Sequence, residues 1–191
     1  MSAPLRATCL GLAAVLAVSA CSSSSPTDLD PAQEVLFHAS YENYAWGYQN
    51  SGWYVDREGR VWSMAPAPMW QPEVGKLLAG ERPGDTYPAD ELEAEYRAVR
   101  DSLLLQLPTE EVEGMSRLVR EAAQGDFTPS QPTGNDAGIF LSGALLYEPA
   151  DGTYRRVVLS IRGDWTVLNE SSAAGRLADW LTDVASRIAA G

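Results

Sequence analysis

The spacing of apolar residues changes three times along this chain, and the order of those changes limits the folds open to it. Over residues 35–64, apolar and small or polar side chains alternate in short runs broken by Gly and Asn, as in strands joined by tight turns. Over residues 88–125 the spacing becomes three and four, the signature of amphipathic helices. Alternation returns over 139–167, and helical spacing closes the chain from about residue 171. Strands, a helical pair, strands and a helix predict an α+β fold rather than a regular α/β alternation. The expected architecture is an antiparallel meander, a helical hairpin in the middle, then a C-terminal hairpin and helix.

Within that frame the elements can be placed. Val35-Leu36-Phe37-His38-Ala39 reads as a first strand. From Asn43 to Gln49, alternation puts Tyr44, Trp46 and Tyr48 on one face of a strand. Asn50-Ser51-Gly52 reads as a turn, Trp53-Tyr54-Val55 as a strand, residues 56–59 as a second turn and residues 60–64 as a third strand. A short helix follows Pro72. Pro88 leads a long helix to about Leu107, with Leu92, Tyr96, Val99, Leu103 and Leu107 on its apolar stripe. Thr109 caps the next helix, which carries Val112, Met115, Val119 and Ala122 inward and ends near Gly125. Residues 126–137 read as a long loop, and 139–147 with 154–162 as a hairpin. A final helix capped by Asn169 or Ser171 buries Ala174, Leu177, Leu181, Val184 and Ile188.

The start of the chain belongs to no fold. Arg6, the apolar run from Cys9 to Val18, and the small residues Ser19 and Ala20 follow the secretory order of positive, apolar and small. Ten apolar residues fall well short of the ~20 a membrane-spanning helix needs. Val18-Ser19-Ala20-Cys21 resembles the bacterial lipobox. That resemblance implies diacylglycerol on the Cys21 sulfur, cleavage before Cys21 and acylation of the new amino terminus. Two or more acyl chains anchor stably where one is reversible. The expected division is a signal peptide at 1–20, a flexible Ser-rich tether at 21–33 and a single α+β domain at 34–191. Ser22 after the Cys points to an outer membrane if the host has one, and otherwise to the outer face of the plasma membrane. With Cys9 removed and Cys21 capped, no thiol is left for a disulfide, so the domain must stand on its core.

Composition removes several function classes. The formal net charge is −12, and Lys76 is the only lysine among 14 basic residues, so nucleic acid is not an expected partner. Two Cys and one His cannot build a tetrahedral zinc site, and no cofactor motif occurs. There is no Gly-x-Ser-x-Gly elbow around Ser142, no phosphate loop and no Asp-rich calcium loop. His38, the only imidazole, reads as a structural residue.

What is left is aromatic. Eight of the chain's fourteen Trp and Tyr residues fall between Tyr41 and Trp70. Trp and Tyr combine an apolar body with a polar edge and suit contacts with protein, peptide or sugar. Tyr44, Trp46, Tyr48, Trp53 and Trp62 are therefore the candidate binding residues, with an envelope protein or glycan as partner and the membrane engaged through Cys21. The alternative for the aromatics is that they form one side of the core. A different function class, an envelope hydrolase, would need paired carboxylates. Glu91, Glu93, Glu95, Glu110, Glu111 and Glu113 cluster at helix starts, where the helix dipole already accounts for them.

Two stretches resemble a group of small, uncharacterised bacterial lipoproteins. One runs from Ser40 through Asn43-Tyr44-Ala45-Trp46-Gly47-Tyr48 to Trp62; the other joins Gly163-Asp164-Trp165 with Asn169, Ser171 and Trp180-Leu181. The resemblance implies no activity. It implies that the meander and the final helix pack as one unit.

Overall fold

The computed structural model describes residues 30, 32–45 and 47–191. Its architecture is α+β. The first three strands, β1 (Val35–Asn43), β2 (Gln49–Asp56) and β3 (Arg60–Met64), form the antiparallel meander. Helix α1 (Gln71–Leu78), strand β4 (Thr86–Pro88) and helix α2 (Ala89–Val99) follow. Next come β5 (Arg100–Gln106), the short helices α3 (Thr109–Ser116) and α4 (Val119–Ala122), and the two-residue strand β6 (Gln131–Pro132). The hairpin of β7 (Ile139–Glu148) and β8 (Thr153–Gly163), strand β9 (Trp165–Leu168) and helix α5 (Ser172–Ala190) complete the chain. The strands run in the order β5-β3-β2-β1-β7-β8-β9-β6, with β4 added beside β8.

Strand alternation supplies both faces of this sheet with apolar side chains. On one face Phe37, Val55, Val61, Ala144, Val157 and Leu159 meet Val112 and Val119 of α3 and α4 and Leu177, Leu181 and Val184 of α5. On the other, Tyr54, Met64, Leu145, Val158 and Ile161 meet Val74 and Leu77 of α1 and Leu92 and Tyr96 of α2. The meander and final helix do pack together: the Phe37 and Trp180 rings meet edge to face at 4.8 Å. Ser171 caps α5, its hydroxyl accepting the Ala174 N–H at 3.0 Å. Glu111 ties α3 to the same helix by accepting from Trp180 Nε1 at 2.6 Å and from Arg187 at 2.7 Å. Those donors, Arg187 first, hold its carboxyl below the usual range.

Three expectations need correction. The long helix from Pro88 stops at Val99, and residues 100–106 form β5 along the open edge of β3, from Met64↔Arg100 to Arg60↔Gln106. The middle helices are thus parted by a strand. The exposed edge of β3 offers unpaired backbone groups, and satisfying them outweighs the modest helix propensity of these residues. Leu103 consequently points outward and is 51% exposed. The second correction concerns residues 44, 45, 47 and 48, which lie between β1 and β2 instead of forming a strand. Gly47, at φ 103°, takes the positive-φ position of that turn. The third concerns residues 50–52, which lie inside β2, where a side chain at Gly52 would collide with the Ala39 carbonyl. The turn at 56–59 forms as expected, with the Gly59 N–H bonded to the Asp56 carbonyl at 3.0 Å.

The proposed signal peptide and Cys21 lie outside the described residues. Gln33, at the expected end of the tether, is already part of the fold: it is buried, and its amide donates to the Leu145 carbonyl at 2.8 Å.

Gly143 of β7 lies directly under the buried indole of Trp70, which occupies the space a Cβ would need. Gly143→Ala is expected to destabilise the protein by about 1–3 kcal/mol through overpacking. Urea unfolding should show a lower midpoint with an unchanged slope.

Candidate functional site

The structure distributes the five candidate aromatics among three places. Tyr44 and Tyr48 sit at the tip of the β1–β2 hairpin, 61% and 54% exposed, with ring centroids 5.0 Å apart. Tyr44 donates its hydroxyl proton to Glu42 at 2.5 Å, and Gln71 donates to the other oxygen of that carboxylate at 2.7 Å. The bond to Glu42 pushes the Tyr44 hydroxyl pKa up to about 12. Trp46 lies outside the described residues. Trp62 faces α2, donating from Nε1 to Asp56 at 2.9 Å, with the Arg100 guanidinium 4.6 Å over its ring. Its surroundings are those of a structural residue. Trp53 is on the opposite face, the one that α5 covers.

Beside Trp53 that cover is incomplete. Two cross-strand rows extend past the helix. The first runs Ser63, Trp53, Ala39, Ser142, Ser160 across β3, β2, β1, β7 and β8; the second runs Ser51, Tyr41, Phe140, Arg162 across the last four. Four of the five side chains in the first row are small. Helix α5 also turns small residues toward it, Ala178 and Ala185, alongside Leu181 and Thr182. Small groups facing small groups leave a trough of about 590 Å³, within the range of small-ligand sites, roughly 300–1,000 Å³. It crosses five strands, about 19 Å at ~4.8 Å per step.

The trough is chemically apolar despite its hydroxyls. Ser142 and Ser160 bond each other at 2.7 Å, Ser63 bonds Ser102 at 2.8 Å, and Thr182 donates to its own helix at 2.9 Å. The Tyr41 hydroxyl is engaged outside the trough, donating to the Ala137 carbonyl at 3.2 Å. The walls are the rings of Trp53, Tyr41 and Phe140 and the side chain of Leu181, with Phe140 and Tyr41 in contact at 4.5 Å. Two charges lie on the lining, Arg162 of β8 and Asp179 of α5.

The opposite face of the sheet holds the imidazole. His38 is fully buried, its ring stacked on Trp70 at 5.0 Å. Trp70 Nε1 donates to the Tyr96 oxygen at 3.3 Å, the Tyr96 hydroxyl meets His38 Nδ1 at 2.9 Å, and His38 Nε2 meets Ser40 at 2.9 Å. That order of donors assigns the ring proton to Nε2. Burial, reinforced by the nearby charge of Arg156, lowers the His38 pKa to about 3. Arg156 itself is buried; it lies 3.6 Å from Glu73 and 3.4 Å from Glu95, and stacks over Tyr87 at 4.4 Å. These groups bond one another in the closed layer beneath α1 and α2. Sequence reasoning overlooked the Glu73–Arg156 pair, because its two partners are separated by most of the domain.

Comparison with known proteins finds no matching family model, curated protein or solved structure. Among the described residues no cluster of three or more His, Cys, Asp or Glu is placed to hold a metal ion, and no helix is long and apolar enough to cross a membrane.

The buried imidazole gives a pH signature. The unfolded chain takes up a proton at His38 below about pH 6.5, which the folded ring refuses until about 3. Its contribution to stability is therefore complete above pH 6.5 and is lost as pH falls toward 3, at ~1.4 kcal/mol per pH unit. Chemical denaturation at several pH values should show His38→Gln less stable at pH 7.5. Between pH 6 and 4 its stability should fall less steeply than that of the parent, by one proton.

Proposed function

We propose that this chain is an acyl-anchored lipoprotein of the bacterial cell envelope, and that its folded domain is a non-enzymatic binding module with the trough beside α5 as its site. The anchoring part of the reading rests on the Val18-Ser19-Ala20-Cys21 sequence, with lipid on Cys21 providing the contact with the membrane. The binding part rests on one observation. Two complete hydrophobic clusters close the rest of the sheet, yet Trp53, Tyr41 and Phe140 line an open apolar hollow. Buried apolar area is what stabilises a domain without disulfides, and a hollow left in it marks a place for a ligand. Tyr44 and Tyr48 belong to the hairpin tip near one end of the same strands, where they can contact a protein or glycan partner in the envelope.

The hydrolase alternative needs two carboxyl groups about 5–10 Å apart across a cleft. The trough lining supplies one, Asp179.

Two measurements test the two parts. Cys21→Ala should move the protein out of the membrane fraction and remove the acyl mass from its amino terminus; a chain that stays lipidated would refute the anchor. For the binding module, the soluble chain from residue 22 contains both core clusters. It should brighten an uncharged naphthylamine dye in a saturable 1:1 manner. Ala185→Trp, at an exposed position of α5 on the trough wall, should weaken that binding at least tenfold while leaving the unfolding midpoint within a degree or two. Dye uptake that ignores the obstruction would refute the site.

A further inference from the structure

The trough's shape and charges define the kind of molecule that fits it, an inference that rests on the binding reading above. Its floor is the face of a fully paired sheet, so the backbone groups beneath it are already bonded within the β3-β2-β1-β7-β8 ladder. A peptide laid there would strip water from its own amides and find few partners, at a cost of roughly 1–3 kcal/mol for each polar group left unpaired. Sugar hydroxyls meet the same difficulty, because Ser142 and Ser160 bond each other, Ser63 bonds Ser102, Ser40 bonds His38 and Thr182 donates to its own helix, which leaves few hydroxyls for a sugar. A hydrocarbon chain has no such groups to satisfy. The trough is elongated, about 19 Å across five strands at ~4.8 Å per step between them, which suits one extended chain better than a compact ring system.

The charges give the ligand a direction. Arg60, Arg97, Arg156 and Arg187 are each engaged by carboxylates. Among the described residues the Arg162 side chain has no ion-pair or hydrogen-bond partner, although the protein carries 26 acidic residues. It stands exposed at the β8 end of the second row, next to Phe140, while the β3 end of the trough has Ala65 and Ser63, whose hydroxyl lies 3.4 Å from the Asp101 carboxylate, so the charge beside that end is negative. One guanidinium in a predominantly acidic surface, with Asp179 also on the lining, suits a single negative charge better than a doubly charged phosphate. We propose that the trough binds a long-chain fatty acid, its hydrocarbon on Trp53, Tyr41, Phe140 and Leu181 and its carboxylate on Arg162.

The test uses the full, natively acylated protein reconstituted in phosphatidylcholine vesicles. One sample receives a sixteen-carbon fatty acid carrying a photoreactive diazirine near its terminal methyl; parallel samples receive the corresponding alcohol and the corresponding lysophosphatidic acid. After irradiation, mass spectrometry of the peptides locates the adducts. The fatty acid should label peptides containing residues 51–53 and 63–65, at the end of the trough away from Arg162, and labelling should fall at least tenfold for the alcohol, for the lysophosphatidic acid and for Arg162→Gln. Equal labelling by acid and alcohol, insensitive to Arg162→Gln, would overturn the fatty-acid assignment. So would preference for the phosphate. Either result leaves the dye experiment above to stand for apolar binding. Absence of trough adducts from all three probes, with dye binding also absent, would overturn both readings. Adducts that join the trough to another copy of the chain would show it to be a contact between copies and would overturn the assignment as well.

Discussion

Phe37 pairs with Ala144, and from there the antiparallel register runs to Glu42 opposite Ile139. This seam between β1 and β7 joins segments about a hundred residues apart, and closing a loop of that length costs about 4 kcal/mol plus a constant. Only a large gain of buried area can offset such a term. The seam provides it by making one broad sheet out of a meander and a hairpin that would each be marginal alone. Phe37 and Ala144 then lie under α5, while His38 and Gly143 face α1 and α2. The trough depends on the same pairing, since Ala39↔Ser142 and Tyr41↔Phe140 form the middle of its floor.

The two faces of the sheet are finished in opposite ways. Under α1 and α2 the interior is full and partly polar. Its imidazole, hydroxyls, indole, carboxylates and guanidinium are linked by specific contacts among His38, Tyr96, Trp70, Glu73 and Arg156. Removing one partner from such an arrangement strands a buried polar group, so the layer tolerates little movement. Under α5 the interior is apolar, aliphatic side chains packed with the Phe37 and Trp180 rings, and it ends before the sheet does. A rigid polar layer on one side thus supports an open apolar surface on the other. A binding floor needs that support, because side chains that collapsed into the hollow would fill it.

Much of this fold can be read from periodicity, and the failures are informative. The C-terminal hairpin, the cap at Ser171 and the buried stripe of α5 are local, governed by turn chemistry and spacing of three and four. Residues 100–106 misled because their leucines continue the stripe of α2, and only the free edge of β3, forty residues earlier in the chain, turns them into a strand. The aromatic run misled for a related reason: alternation in a short segment does not reveal whether it lies within a strand or bends between two. Of the five aromatics, Trp53 alone lines the trough among those described. The trough itself left little local trace. Ala39, Ser142 and Ser160 are unremarkable one at a time, and become a hollow only when the register sets them side by side beneath Ala178 and Ala185.

The hollow is a matter of residue choice and not of geometry alone. A Leu or Ile at Ala39, Ser142 or Ser160 would project into it from a strand position that accepts branched apolar side chains, and burying such a side chain stabilises a domain by about 1.5–3 kcal/mol. A chain with no disulfide in its described part has reason to use that gain, and two clusters of its core show that it does so elsewhere. At these positions it carries small residues instead, and it leaves Phe140 54% exposed at the mouth. Exposed aromatic surface beside an unfilled space lowers stability and raises the risk of self-association. The structure therefore forgoes several kcal/mol along one line of the sheet, and the row beside that line ends at Arg162, the guanidinium on the trough lining.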